Sequence, residues 1–239
     1  MIPITVTAHL RQAAAVEHPP MLDALLYVGL HRLLTARDPR RWPGPAPLAE
    51  LYDLPLPLAK VKAGGAWWWA ASQATPAGLE HVRHEHRRPP VEAYARHQRG
   101  RISKVSSKSG ADKALRIPVF TRPEWLAPTW SAVLAPARAE EVVNLLGASP
   151  MPPVVLVRAL LAAVPSIGAR TVAGHGAVDR WDVAEGGPVL GRYSDDLTLR
   201  HLPVHICLDL PPGRVVRKQI PLRPPYYGRD TVPCIQVRP

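Results

Sequence analysis

Cations are the residues with the plainest chemical consequence. Between His81 and Arg122 stand eleven of them: Arg83, Arg87, Arg88, Arg96, Arg99, Arg101, Lys104, Lys108, Lys113, Arg116 and Arg122. Only Glu85, Glu92 and Asp112 oppose them, so these 42 residues hold +8 of the formal net charge of +11. Four histidines, His81, His84, His86 and His97, lie in the same stretch. Clustered cations favour a phosphate backbone, because neutralising a phosphate releases about one condensed counterion. A charge run is often only a solvated loop, but this degree of asymmetry points to contact with nucleic acid. Inside the arm, Ser106-Ser107-Lys108-Ser109-Gly110-Ala111-Asp112-Lys113 offers small residues beside lysines. It lacks the spacing of a Walker phosphate loop, so no nucleotidase activity is expected.

A second set is the glycine-rich turn from Ser166 to Gly176, where Gly168, Gly174 and Gly176 flank Arg170 and His175. Glycine reaches positive φ and bares its N–H groups, which suits either a ligand or a tight turn. Trp67-Trp68-Trp69 is the third. On a strand, Trp67 and Trp69 share one face and Trp68 takes the other, so one ring could stack on a base while another fills the core. The basic tail is the fourth. Residues 213–229 hold Arg214, Arg217, Lys218, Arg223 and Arg229 and no acid, with Tyr226 and Tyr227 after Pro224-Pro225. That tail suits a second nucleic-acid surface, a subunit contact, or a strap on its own domain.

His81, His84 and His86 have ligand-like spacing, but Arg83, Arg87 and Arg88 stand among them and no cysteine or carboxylate pair completes a set of four. No metal site and no cofactor are expected. No nucleophile elbow or triad is legible. Cys207 and Cys234 lie apart, which argues against a disulfide framework.

The elements that must carry these groups belong to a folded chain. Its 239 residues are 46% hydrophobic and 21% charged, with a pI near 10.3. No apolar run is long enough to span a bilayer, and Met1–Val6 does not start like a signal peptide. A cytoplasmic protein without membrane contact is expected. The 29 prolines demand short elements and stiff loops. Ile2, Ile4, Val6, Ala8 and Leu10 alternate with polar residues and predict a half-buried strand. Met21–Leu34 has helical spacing after Pro19-Pro20, and Asp38-Pro39 ends it. Residues 39–60 read as irregular. A strand runs through the tryptophans, and another spans 126–134 with Trp130, Ala132 and Leu134 on one parity. Helices follow at about 137–146 and 154–164, then strands at 177–183 and 201–210. The tail from 211 reads as irregular. This order predicts an α+β fold with an antiparallel sheet, helices on one face and a ferredoxin-like core.

The segment Ile167–Val178 followed by Trp181 and Val183 resembles the loop-then-strand of the RAMP superfamily of CRISPR proteins. Further segments point to one branch: Thr7–Leu10, Pro20–Leu26, Gly64–Ser72, Ser109–Lys113 and Leu222–Tyr227. In that order they look like the type IV effector subunit that caps the 5′ handle of the CRISPR RNA. The resemblance covers most of the chain. It implies one RRM-like domain over 1–239, a long basic β-hairpin thumb at about 77–122, and a basic tail at 211–239. It also implies RNA contacts in the thumb and glycine loop, with Lys108, Lys113, Arg170 and His175 at matching positions. The partners would be the CRISPR RNA, the backbone RAMP subunits, the large subunit and target DNA near the first guide segment.

Two other classes stay open. A RAMP endoribonuclease could cleave precursor RNA without metal, using His9, His31 and His175 with Arg11 or Arg170. Its glycine loop tends to sit near the C-terminus, whereas here some 60 residues follow it. An interaction protein could dock an acidic partner on the same arm.

Overall fold

The computed structural model describes residues 1–11, 14, 19–39, 54–75, 84–85, 119–120, 126–168, 176–188, 200–206, 215–224, 226 and 231–237. Strand β1 spans Ile2–Leu10, and helix α1 spans Leu22–Arg37. Strands β2 (Lys60–Ala63) and β3 (Ala66–Trp69) form a hairpin around Gly64-Gly65. Both turn glycines have positive φ, 53° and 78°, as a two-residue hairpin turn of the primed type requires. Two-residue strands β4 (His84–Glu85) and β5 (Val119–Phe120) follow, then β6 (Thr129–Leu134). Helices α2 (Pro136–Leu146) and α3 (Pro153–Ala162) lead to β7 (Val178–Glu185). The chain closes with β8 (Leu202–Pro203), β9 (Val215–Ile220) and β10 (Val232–Val237).

The fold is α+β with antiparallel sheets. Strand β1 lies between β6 and β7, antiparallel to both. Segment 70–75 adds a further ribbon beyond β6, through bridges Ala71↔Ala132 and Thr75↔Thr129 and the bond from Ser72 N–H to Ser131 O at 2.9 Å. The spatial order is therefore 70–75, β6, β1, β7. Ile4, Val6 and Ala8 are fully buried and share one core with Leu22, Leu26 and Leu30 of α1, Val142 of α2, and Leu156 and Leu160 of α3. The three described helices thus cover one face of the sheet. Thr5, Thr7 and His9, the opposite parity of β1, stay half-buried on the other face.

The helices are stopped and joined by side chains from α1. Gly147 ends α2 in the left-handed region at φ 53°, and its N–H donates to Asn144 O at 2.9 Å. The Arg37 guanidinium donates to Leu146 O at that same end, and Arg32 donates to Ala163 O at 2.9 Å at the end of α3. Cations placed there meet the negative pole of each helix. Gly29 lets α1 and α3 touch, since a Cβ at that position would lie 2.1 Å from Leu160 O.

A second sheet, ordered β8-β10-β9, pairs two strands of the tail with β8 just before it. Its Leu202 and Ile235 enclose Trp68 in a small separate core with Val61 and Val204. Two expectations are corrected here. The strand at 201–210 is only two residues long before a 3-10 turn at Val204–Ile206, and 207–210 lie outside the described residues. The tail is not irregular: Val215, Val216, Ile220, Val232, Ile235 and Val237 supply β-branched residues for a six-rung antiparallel pair. Pro221 falls just past β9, and Pro233 lies beyond Cys234 and Ile235, the two residues that β8 pairs with. The chain therefore tolerates both prolines.

Candidate nucleic-acid interface

The basic arm leaves the sheet after Thr75 and returns before Thr129, two residues that bond each other at 2.8 and 2.9 Å. Farther out, β4 and β5 pair antiparallel, His84 opposite Phe120 and Glu85 opposite Val119. The two ends of the arm are thereby drawn together twice. Arg83, Arg87, Arg88, Arg99, Arg101, Lys104, Lys108, Lys113 and Arg116 lie outside the described residues, as do Arg170, His175 and Cys207. For Arg217 and Lys218 only the backbone register in β9 is described, opposite Ile235 and Cys234.

The glycine turn is described at its base. Ser166 bridges Ala177, and Ile167 N–H donates to Gly176 O at 2.9 Å. Gly168 and Gly176 have φ of 81° and 66°. A Cβ on Gly176 would sit 1.9 Å from Ile167 O, so this glycine is required by the closing of the turn itself.

The tryptophans divide as strand alternation requires. Trp68 is fully buried against the tail sheet, and Trp69 is buried in the main core. Trp67 stays partly exposed and meets Trp69 edge-on at 5.1 Å between centroids. The hairpin register places Lys60 opposite Trp69 and Lys62 opposite Trp67. The Lys60 ammonium lies 4.2 Å from the Trp67 centroid and 5.3 Å from that of Trp69. The Arg223 guanidinium carbon lies 3.9 Å from the Trp67 centroid. Beside them is a cavity of about 110 Å³ whose walls include Tyr27, Lys60, Trp67, Trp69, Arg138 and Arg223. The alternation of Lys60 and Lys62 ahead of Gly64-Gly65 is a hairpin signal that could have placed Lys60 on the tryptophans.

On the open sheet face, His9 Nε2 lies 2.7 Å from Asp182 Oδ2 and 3.2 Å from the Arg180 guanidinium. Arg180 also donates to Asp182 at 3.3 Å, and Arg11 to Asp179 at 3.1 Å. The bond from His9, with Arg180 behind it, holds the Asp182 carboxyl below its ordinary pKa. Asp179 and Asp182 escaped the sequence reading, because only strand pairing brings residues some 170 positions apart together. His31 does not join this group. It sits on α1, in the helix layer, stacked on Tyr27 at 6.5 Å, and burial lowers its pKa.

A buried polar cluster ties the tail to the core. Tyr226 O–H lies 2.8 Å from both carboxylate oxygens of Asp23, which is fully buried in the first turn of α1. Arg200, also buried, donates to the carbonyls of Trp69, Ala71 and Leu222, the last two at 3.2 and 3.0 Å. Burial raises the Asp23 pKa, against the opposing pull of Arg200 and of the Tyr226 hydroxyl. Burial and the adjacent carboxyl push the Tyr226 phenol well above its ordinary value. The tail is thus a strap on its own domain around Leu222–Tyr226. Among the described residues no helix is long and apolar enough to cross a membrane. No protein-family model matches the chain, and no curated protein matches it either.

Proposed function

We propose that this protein is a non-catalytic RNA-binding subunit of a ribonucleoprotein. In its specific form it caps the 5′ handle of the CRISPR RNA in a type IV effector and starts the backbone of that complex. One observation carries the reading. A segment with +8 of the chain's +11 leaves and re-enters the sheet at neighbouring antiparallel ribbons, its ends paired again at β4 and β5. A basic segment whose two ends are held together at the edge of a packed core is well placed for pressing cations onto a phosphate backbone.

The strand order supports a ferredoxin-like, RRM-like core. Counting the main sheet and its helices alone, with segment 70–75 as a strand, the chain order is strand, helix, strand, strand, helices, strand, and the sheet order is 70–75, β6, β1, β7. The partners of this reading are the CRISPR RNA, the backbone and large subunits and nearby target DNA, in the cytoplasm. The test is co-expression with a CRISPR array, with and without partner subunits, followed by sequencing of the co-purified RNA. Enrichment of array RNA with intact 5′ handles is expected, strongest with partners present. Recovery of no RNA at low salt would count against it.

A second reading rests on His9. A histidine held by a carboxylate at 2.7 Å with a guanidinium beside it is an arrangement that general-base cleavage of RNA can use. It requires discrete products from repeat RNA in the presence of a chelator, abolished by His9→Ala.

A further inference from the structure

Asp23 is an ionisable side chain with no exposed surface, and the RNA-binding reading makes no use of it. Its carboxyl is held from the tail. Tyr226 is only partly buried, and its hydroxyl lies 2.8 Å from both carboxyl oxygens, so the phenol reaches from the surface down to Asp23. His201, just ahead of β8, meets the Tyr226 ring edge-on at 6.2 Å between centroids. Its neighbour Arg200 ties Leu222 of the strap to Trp69 and Ala71 of the main body through their carbonyls. Arg200, His201 and Tyr226 are the ionisable groups that the tail side brings to this place. Segment 70–75, bonded to the start of α1 through Ser72 O and Leu22 N–H, has none, and neither has β6. On α1 itself the next is Tyr27, one turn on.

We propose that the tail is a proton-linked latch: the strap Leu222–Tyr226 and the tail sheet swing off α1 as a local opening, and that opening lets Asp23 give its proton to water. The packing favours a local event over loss of the whole fold. Among the described residues the tail sheet meets the hairpin in a core of Trp68, Leu202 and Ile235, whereas the main core gathers β1, β6, β7 and the helices. Units with few buried apolar contacts open first. With the strap shut, burial favours the neutral carboxyl. With it open, the carboxyl titrates near its ordinary value of about 4. The shut state is therefore firmest below that ordinary value. It weakens as pH rises toward the raised value of the buried group, and changes no further above it. Arg200 and the Tyr226 hydroxyl favour the ionised form and moderate the loss. Opening also takes Arg223 off the Trp67 ring and Ile235 off Trp68, so pH governs the exposure of two tryptophans of the hairpin.

Native-state hydrogen exchange of the full chain, read by mass spectrometry and corrected for the intrinsic exchange rate at each pH, tests the latch. Protection of β9 and β10 is compared with that of β1 from about pH 4 to about pH 8 in the wild type, Asp23→Asn and Tyr226→Phe. In the wild type β9 and β10 are expected to be less protected than β1. Their protection should fall as pH rises, by up to about tenfold per unit, the limit for one proton. Asp23→Asn, neutral at every pH, should flatten that fall. Tyr226→Phe should lower the protection of β9 and β10, most where Asp23 is ionised. If Asp23→Asn does not fold, Tyr226→Phe carries the comparison alone. Tail strands as protected as β1 would overturn the latch, since they would then open only with the whole fold. So would protection that does not fall with pH, a fall that Asp23→Asn retains, or tail protection that Tyr226→Phe leaves unchanged.

Discussion

Asp23, Tyr226 and Arg200 make the sharpest case at the scale of single residues. The fold prefers Asp23 protonated, since its pKa is raised above the unfolded value. Its contribution to stability is therefore fullest below the unfolded carboxylate pKa and declines as pH rises through the raised one. The Tyr226 hydroxyl, bonded to both carboxylate oxygens, offsets that decline by favouring the ionised form. At pH values where Asp23 is ionised, Tyr226→Phe should cost about 1.5–3 kcal/mol, as a hydrogen bond to a charged buried group does. The cost should shrink as the pH is lowered through the Asp23 titration. Urea unfolding of both proteins across pH checks this, and a pH-independent difference would sink it. Tyr226 stood out in the sequence as part of the tail, but its pairing with Asp23 was not legible, and the partners of Arg200 are main-chain carbonyls at Trp69, Ala71 and Leu222. Such partners leave no pattern in side-chain types. Lys60 is the opposite case, since the Gly64-Gly65 turn fixes its register against the tryptophans.

Elements were read well where periodicity was strong. The alternation of β1 and the helical spacing of α1 match their observed spans, and α2 and α3 begin within a residue of expectation. The tail failed because proline and arginine outweighed β-branched residues in the reading. In the fold the prolines stand beside the paired stretches, or where β8 has turned away. Close approach between elements is also invisible to pattern. Gly29 looks like a weak residue in the middle of a helix, where alanine is ordinarily better by about 1 kcal/mol. Here its missing Cβ is what lets α1 rest on the Leu160 carbonyl of α3. Gly29→Ala should therefore destabilise by about 1–3 kcal/mol, the cost of overpacking, instead of stabilising. A thermal melt decides the sign. Gly176→Ala should destabilise by a similar amount, about 1–3 kcal/mol, through its positive φ and the contact with Ile167 O. Limited proteolysis of the glycine turn would register that change alongside the melt.

For the molecule as a whole, charge and topology point the same way. The helices occupy one face of the sheet, and α1 uses Arg32 and Arg37 on the ends of α3 and α2, which commits those cations to structure. The concentrated positive charge lies in the arm, and a smaller group gathers around Trp67. The arm's composition was fully legible. Its place between the tryptophan segment and the strand at 126–134 was legible too, but the pairing of those two flanks was not, because it depends on contact across more than fifty residues. The arm variant Lys108→Glu with Lys113→Glu should weaken RNA binding at least tenfold and flatten its salt dependence, with the melting transition unchanged, because each lost phosphate contact removes about 0.7 from a single-strand slope. Loss of the melt would place those lysines inside the fold and not on a projecting arm.

The most direct measurement is a titration of purified full-length protein against repeat-derived RNA across a salt series, with chelator present and the RNA run on a denaturing gel afterwards. The account predicts tight binding at low salt, a steep loss with added salt, and RNA recovered intact. RNA left unbound at low salt, or cut at a discrete position in the repeat, would contradict it.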